Sequence, residues 1–450
     1  MALSGLEIFK KLPKTNCKEC KFPTCLAFAM QLAAGKVELD QCPHISDEVK
    51  AELSESAAPP IRGVTIGVGD GALKIGEETV LFRHDKRFEH QPCIALLIKD
   101  DMSEDEVNKK IEQFNSTQFE RVGVLMKAEL VAIKNVTKDV AKFDALVNKV
   151  KNQTNASLVL MSDSPEVLKQ ALATCKERKP LLYAATTQNA EQMAQISKDN
   201  GCPLTAKANG LDELAQLTTK LTAMGCKDIV LDPGSSNIKS AFQDQTMIRR
   251  LALKKTFRPL GFPTIAFPYE LTDAPLEEVL IASMLITKYT GIIVLSDLDP
   301  AKLYPLLTLR MNIYTDPQKP MMMEEKIYEI NSPTPNSPLL ITTNFSLTYF
   351  IVSGEIEASK VPTWLCVMNT EGLSVLTAWS AGKFVADLIA PFIKKCGITE
   401  KINHRNLIIP GYVAQISGEL EDELGEGWKV TVGVREASDL RVFLQKFRKG

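Results

Sequence analysis

The stretch SLVLMSDSPEVLKQALATCKERKPLLYAATTQNAEQMAQISKDNGCPLTAKANGLDELAQLTTKLTAMGCKDIVLDP (Ser157–Pro233) sets the architecture of this chain. Four short apolar runs start at Ser157, Pro180, Pro203 and Asp228, and helical patterns fill the gaps between them. In GLDELAQLTTKLTAMG, Leu214, Leu217 and Leu221 fall on one face and a glycine follows, the signature of an amphipathic helix and its stop. The runs are apolar throughout and do not alternate. That predicts strands buried on both faces, hence a parallel sheet covered by helices.

The rhythm extends in both directions, with GVTIGV at Gly63, CIALLI at Cys93, RVGVLM at Arg121, PTIAFP at Pro263 and GIIVLS at Gly291. Nine candidate strands across about 270 residues predict a central (β/α)8 TIM-like barrel. An open doubly wound sheet is the alternative.

Two stretches read as linkers: SESAAPPIRG (Ser54–Gly63) and NSPTPNSP (Asn331–Pro338). They divide the chain into three domains at 1–57, 61–330 and 337–450, as a length of 450 residues leads one to expect. A hydrophobic share of 45% and a charged share of 24% fit a globular protein. The formal net charge of -2 gives no electrostatic reason to expect nucleic acid or an anionic membrane as partner. The opening MALSGLEIFKKLPK carries charges where a signal peptide needs its apolar run, and no apolar span of about 18 residues follows. A cytoplasmic chain is expected, in which clustered cysteines signal metal or redox work.

Four of the ten cysteines, Cys17, Cys20, Cys25 and Cys42, form the pattern C-x2-C-x4-C-x16-C with Pro43 directly after the last. Zinc sites usually pair their ligands as CxxC with CxxC or with HxxxH, and His44 is too near Cys42 to be its natural partner. Three close cysteines and a distant one followed by proline suit a [4Fe-4S] cubane best, with one thiolate per iron. Zinc and a disulfide pair remain as alternatives. A helix is expected from Cys25 through LAFAMQLAAG, ended by Gly35, and its N-terminus would face an anionic cluster. Cys93, Cys175, Cys202, Cys226, Cys366 and Cys396 read as buried or incidental thiols.

After Pro338 the rhythm returns on a smaller scale. Strands are expected at PLLITT (Pro338), PTWLCVMN (Pro362), NLIIP (Asn406) and KVTVGV (Lys429), with helices between, which makes a Rossmann-like α/β domain of about 110 residues. The turns TTNFS, NTEGLS, PGYVA and GVREAS would line the crevice beyond the carboxyl ends of these strands. In the barrel, DPGSSN (Asp232–Asn237) is the best candidate for an anion or pterin at a helix N-terminus, against a plain capped turn. GVGDG (Gly67–Gly71) fits neither GxGxxG nor the P-loop and reads as a turn.

Two stretches together, NCKECKFPTCLAFAMQLAAGKVELDQCP (Asn16–Pro43) and LITTNFSLTYFIVSGEIEASKVPTWLCVMNTEGLSVLTAWSAGKF (Leu340–Phe384), resemble the large subunits of the corrinoid/iron–sulfur proteins. These are methyl carriers of the acetyl-CoA (Wood–Ljungdahl) pathway of anaerobes. The likeness runs along essentially the whole chain. Its C-terminal part is the more diagnostic, because related CxxCxxPxC…CP domains occur in other electron-transfer proteins.

The resemblance implies a mechanism. A cob(I)amide accepts a methyl group from methyltetrahydrofolate, delivered by a separate methyltransferase, and methyl-Co(III) passes it to the nickel site of acetyl-CoA synthase. The [4Fe-4S] cluster returns an electron when cobalt lapses to Co(II). Such a chain is best classed as a methyltransferase component. The implied partners are the protein's small subunit in a heterodimer, the methyltransferase, acetyl-CoA synthase and a low-potential electron donor such as ferredoxin.

On the family's pattern the corrinoid is assigned to Thr342, Thr343, Asn344 and Ser346 after the first strand of the C-terminal domain. Thr370, Glu371, Gly372, Leu373 and Ser374 follow after the second, Gly411 and Tyr412 after the third, and Gly433 at the fourth. Glycines admit close backbone approach, and hydroxyls and amides bond a polar nucleotide tail.

The DxHxxG motif that supplies a lower cobalt ligand in many cobalamin domains is absent. Only His44, His84, His90 and His404 are present, and NHRNL around His404 does not match. A base-off corrinoid without a protein imidazole is therefore expected, which favours four-coordinate Co(I). His404 reads as a solvent-side loop residue. Asn331–Pro338 reads as the hinge of a movable carrier domain. Two other classes of function stay open: a folate-dependent methyltransferase barrel with a structural cluster, and an electron-transfer scaffold whose C-terminal pocket is empty or holds a flavin.

Overall fold

A computed structural model describes residues 5–33, 36–37, 39–46, 49–50, 53, 58–121 and 123–447. The chain divides into two compact units, Met1–Thr117 with Ala128–Tyr314, and Gln118–Lys127 with Thr315–Gly450. Residues 54–57 of the first expected linker lie outside the described residues. Its remainder is tied to the barrel, where the Arg258 guanidinium donates to the carbonyls of Ala58 and Pro59.

The first unit carries the barrel. Two short strands come first, β1 (Val64–Ile66) and β2 (Leu73–Ile75), paired antiparallel. The barrel strands are β3 (Cys93–Lys99), β6 (Leu130–Lys134), β7 (Ser157–Met161), β8 (Leu181–Ala185), β9 (Leu204–Lys207), β10 (Ile229–Asp232), β11 (Ile265–Ala266) and β12 (Ile292–Leu295). They run parallel in the order β10-β9-β8-β7-β6-β3-β12-β11. A parallel bridge between Leu231 and Thr264 closes the ring. A helix follows each strand, and two begin with capping boxes, Ser103 with Glu106 and Asn237 with Ser240.

Two of the nine expected strands are not barrel strands. GVTIGV forms β1, whose Val64 and Ile66 pack with Cys93, Leu130 and Leu181 at the starts of the barrel strands and plug that end. RVGVLM contributes to a hairpin, β4 (Gln118–Arg121) with β5 (Val124–Lys127), that groups with the second unit. The eighth barrel strand is LVAIK at Leu130, which the apolar run just before it masks in the sequence. Val124 and Leu125 are half exposed, whereas Leu130 and Val131 are fully buried. GVGDG forms the turn between β1 and β2.

The second unit is built on five strands: β13 (Lys326–Ile330), β14 (Leu339–Thr343), β15 (Thr363–Met368), β16 (Asn406–Ile409) and β17 (Lys429–Val432). Their order is β13-β15-β14-β16-β17. The last four strands in the chain are mutually parallel, while β13 runs antiparallel at the edge. The helices Ser346–Ser359 and Leu440–Phe447 cover one face through Ile356, Leu440 and Leu444. Helices Ala386–Lys395 and Ser417–Leu424 cover the other through Ile389, Ile393 and Leu420. This is a doubly wound sheet. Its switch point lies between β14 and β16, whose following helices leave to opposite faces.

The strand β13 corrects the expected boundary and hinge. The second unit starts at Thr315 and not at residue 337, and the last barrel helix ends at Tyr314. Asn331–Pro338 is thus a turn between two strands of one sheet, and it is bonded down. Asn331 Nδ2 donates to the Ile356 carbonyl at 2.9 Å, Trp364 Nε1 to the Thr334 carbonyl at 3.0 Å, and Thr334 N to Ser337 Oγ at 2.8 Å. Shortening it would tear β13 from β15, so it is not the hinge. Among the described residues no helix is long and apolar enough to cross a membrane.

Candidate functional site

The four N-terminal cysteines come together around two helices, Gly5–Lys11 and Cys25–Ala33. Cys20, Cys25 and Cys42 are buried in a small core with Ile8, Leu12, Phe28 and Ile45, while Cys17 is exposed. Cys25 opens its helix, as expected, and its N–H donates to Asn16 Oδ1 at 2.8 Å. Burial pushes the Cys42 thiol up, and the neighbouring Cys20, Cys25 and Cys17 push it further. The four sulfurs therefore converge, yet no three of them lie within 4.8 Å of one another. Lys14, Asn16, Lys18 and Lys21 all have left-handed backbone (φ 50 to 66). Non-glycine residues adopt that conformation at a cost, and such strain gathers at ligand clamps. The His44 side chain stands beside Cys17, with its Nε2 3.0 Å from Glu19, while its backbone N–H bonds the Cys42 sulfur.

In the second unit the carboxyl ends of β14 to β17 open onto a cavity of about 430 Å³ at the switch point. Of the twelve residues assigned from the sequence, Thr342, Ser374, Tyr412 and Gly433 line it. Thr342 is 2% exposed, and its buried hydroxyl has no hydrogen-bond partner. The neighbouring Thr343 hydroxyl is likewise buried and unpaired.

The other assigned residues build the rim. Asn344 Oδ1 accepts from the N–H groups of Thr370 and Gly372, each at 3.0 Å, and so ties the first turn to the second. Thr370 Oγ1 also donates to the Leu373 carbonyl at 3.1 Å. Ser346 begins the helix Ser346–Ser359, and its N–H donates to the Met321 carbonyl. Glu371 has left-handed backbone and pairs with Lys383. A Cβ on Gly372 would sit 2.7 Å from Met322 and Pro320, and one on Gly411 would sit 2.7 Å from the Gly433 carbonyl. These two glycines are required by chain-on-chain approach.

Sequence reasoning missed the helix wall, while the last turn, GVREAS, lines the crevice as expected with more of its residues than the assigned Gly433. Thr348, Ile351 and Val352 line the cavity from the helix Ser346–Ser359, and Arg435, Glu436 and Ser438 from the turn after β17. Tyr412 donates to Glu436 across the opening. A signal was there: LTYFIV is apolar around the whole helix, and Leu347, Phe350 and Ile351 remain exposed. A helix apolar on every side needs something to cover it. None of the four histidines lines the cavity. His404 sits at the opposite end of the sheet, half-buried and not fully solvent-side, with Nε2 2.9 Å from the Ser337 carbonyl and Nδ1 accepting from Asn406 N.

DPGSSN lies at the carboxyl end of β10, where Asp232 to Ser236 line a second cavity of about 350 Å³ together with Lys207, Asn209 and Glu270 among others. Its polar groups are engaged internally. Asp232 accepts from the Tyr183 hydroxyl at 2.6 Å and from Gly234 N at 2.9 Å, and Ser235 donates to Asp244 at 2.7 Å. Burial raises the Asp232 carboxyl above its usual range. The helix cap is Asn237, so the segment is a well-bonded turn.

A family model described as CO dehydrogenase/acetyl-CoA synthase delta subunit matches residues 63–444. Another, described as a putative Fe-S cluster, matches residues 12–44 and so spans all four clustered cysteines. The chain is 50% identical over 445 residues to the corrinoid/iron-sulfur protein large subunit of Moorella thermoacetica, covering 98% of each. It is 35% identical to the acetyl-CoA decarbonylase/synthase complex subunit gamma of Methanopyrus kandleri, over 99% of this chain and 98% of that one. Among solved structures, a dihydropteroate synthase from Coxiella burnetii in complex with pteroic acid is similar at 12% identity and a TM-score of 0.40, covering 56% of this chain and 100% of that one.

Proposed function

The chain belongs to the family of the corrinoid/iron–sulfur protein large subunit and the acetyl-CoA decarbonylase/synthase gamma subunit, and from that premise we propose that it is a methyl carrier of the acetyl-CoA pathway. A corrinoid occupies the crevice at the carboxyl ends of β14 to β17, and a [4Fe-4S] cluster is held by Cys17, Cys20, Cys25 and Cys42. The bound corrinoid supplies a cobalt that takes up and gives away a methyl group, and the cluster supplies the electron that restores an oxidised cobalt.

The observation that carries the corrinoid reading is the cavity of about 430 Å³ beyond the parallel strands of the second unit, lined by Thr342, Ser374, Tyr412 and Gly433. Ile351, Val352, Val375 and Leu376 offer the apolar wall that a flat macrocycle needs. Ser374, Ser438 and Tyr412 offer hydroxyls for its amide-bearing periphery, while Asn344 and Thr370 hold the turns in place. Both ring nitrogens of His404 are engaged on backbone at the far end of the sheet, which supports the reading that this histidine would not serve a corrinoid bound in the crevice.

The cysteine pattern supports a cubane over zinc: three close cysteines and a distant one followed by proline, with Cys20, Cys25 and Cys42 gathered in one small core, offer one thiolate to each iron. The partners that follow are the small subunit, the methyltetrahydrofolate methyltransferase, acetyl-CoA synthase and a low-potential electron donor. The internally bonded DPGSSN turn favours no second reading on the barrel.

Anaerobic purification with cobalt and iron quantified per chain tests the proposal. The expected result is about one cobalt and about four irons, with visible bands that change on low-potential reduction. In protein grown on 15N-histidine, the Co(II) electron paramagnetic resonance lines should be unchanged. Iron without cobalt, after coexpression with the small subunit in a corrinoid-supplied host, would overturn the carrier reading.

A further inference from the structure

We propose that the lysine-rich loop around Cys17 is the docking surface for an acidic one-electron donor protein; the assignment rests on the iron–sulfur reading above. Between Lys10 and Cys25 stand Lys10, Lys11, Lys14, Lys18 and Lys21 against a single acid, Glu19, in a chain whose formal net charge is -2. Beyond Gly35 the balance reverses: Glu38, Asp40, Asp47, Glu48, Glu52 and Glu55 outnumber Lys36 and Lys50. The positive charge of this domain is thus gathered in the stretch Lys10–Lys21, at the end of the first helix and on the ligand loop.

The structure puts that charge where an electron must enter. Cys17 is the one exposed cysteine of the four, and Lys10, Lys14, Lys18 and Lys21 are exposed as well. Lys14 and Lys18 flank Cys17, and Lys18 and Lys21 flank Cys20. Glu19, the only acid of the loop, faces His44 at 3.0 Å. Lys14 is held over the Phe9 ring at 5.6 Å. An apolar strip accompanies the charges. Leu26 follows the ligand Cys25, and Met30 stands one turn further along the same helix, both exposed. Gly5 lies against Met30, which brings exposed Leu6 to that end. A small apolar contact with a charged rim suits a transient encounter more than a permanent interface.

Charge complementarity then selects the partner: a protein that is acidic around its own redox centre. The step moves one electron from the reduced donor to the cluster. The donor is oxidised by one, the cluster is reduced by one, and no bond or proton is transferred. Steering of this kind raises encounter rates by about 10- to 1,000-fold at low ionic strength and fades as salt screens it.

The test uses the full loaded protein in anaerobic stopped flow, reduced either by a strongly acidic ferredoxin or by the small cation methyl viologen radical. Lys18→Glu with Lys21→Glu should slow reduction by ferredoxin about ten-fold at low salt and flatten its salt dependence. Reduction by viologen should not slow, and iron content should stay at the wild-type level. Lys18→Arg with Lys21→Arg should behave as wild type. Calorimetric binding of oxidised ferredoxin should weaken in parallel. Should the first pair lose iron, Lys10→Glu with Lys14→Glu, outside the ligand span, carries the same expectation. An unchanged ferredoxin rate and salt slope in an iron-replete charge-reversal variant overturns the docking surface alone. Wild-type protein that holds iron yet is reduced by neither reagent overturns the iron–sulfur reading, and the docking surface with it.

Discussion

Asn344 holds Thr370, its Oδ1 accepting from the Thr370 N–H at 3.0 Å, while the Thr370 hydroxyl shares its one proton between that oxygen at 3.2 Å and the Leu373 carbonyl at 3.1 Å. The same oxygen accepts from Gly372 N, so one buried carboxamide fixes the turns after β14 and β15 together. Asn344→Ala leaves buried donors without partners and should cost about 2–4 kcal/mol in urea unfolding. Cobalt retained after gel filtration should fall with it. Asn344→Asp keeps the acceptor oxygen and should retain more of both. Unchanged stability in the alanine variant would mean that these turns stand without Asn344.

The cysteine assignment separates the two cofactor sites. Serine at Cys20, Cys25 or Cys42 should lower iron per chain well below wild type and leave cobalt retention intact, since those sulfurs and the crevice belong to different units. Cys93→Ser is the control. That thiol is pushed far up by burial inside β3 and should not affect iron. Iron analysis with electron paramagnetic resonance reads both outcomes. Full iron in the Cys42→Ser variant would remove Cys42 from the ligand set.

Much of this fold was legible because the barrel strands are apolar without interruption, and a buried parallel strand has no other way to be written. The misreadings have physical causes. RVGVLM looks like a core strand, but composition does not say that Val124 and Leu125 face solvent on a hairpin. β13, KIYEI, carries Lys326 and Glu329, so it reads as surface, and only its antiparallel pairing with β15 places it in the sheet. The prolines of NSPTPNSP suggested a linker, while the bonds from Asn331 and Trp364 that make it a fixed turn come from residues 25 to 30 positions away. In the crevice, the turns were readable from their strands. The helix wall was not, since which face of LTYFIV meets the cavity depends on tertiary packing.

At the end of the barrel where the strands begin, Arg310 is buried against Glu129, with Nη2 at 2.8 Å and Nη1 at 3.0 Å, and it also donates to the Pro92 carbonyl. Glu129 accepts from Ile94 N, so the pair joins the last barrel helix to the starts of β3 and β6. Glu129→Ala strands a guanidinium in the interior and should destabilise the barrel by about 3 kcal/mol. Arg310→Met with Glu129→Leu, which removes both charges, should recover most of that. Denaturant unfolding of the two variants decides it, and equal losses in both would show that packing matters there and charge does not.

Among the thiols outside the ligand set, Cys396 is expected to be the most reactive. The Cys366 S–H donates to its sulfur, and Cys396 is drawn down to about 7, while burial holds Cys175 up at about 12 and Cys202 at about 11. A thiol lowered on folding is stabilising as thiolate above its unfolded value, and that contribution is lost as pH falls through about 7. Iodoacetamide applied to the loaded protein should therefore modify Cys396 first, with a rate that rises through pH 7, where an ordinary thiol rises near 8.5. Cys366→Ala removes the donor and should move that midpoint upward, which a direct effect of burial would not do, since burial is unchanged or reduced by the smaller side chain. Mass spectrometry of the labelled peptides reads the order of modification. Labelling of Cys396 no faster than that of Cys202 would show that the Cys366 bond does not form in solution.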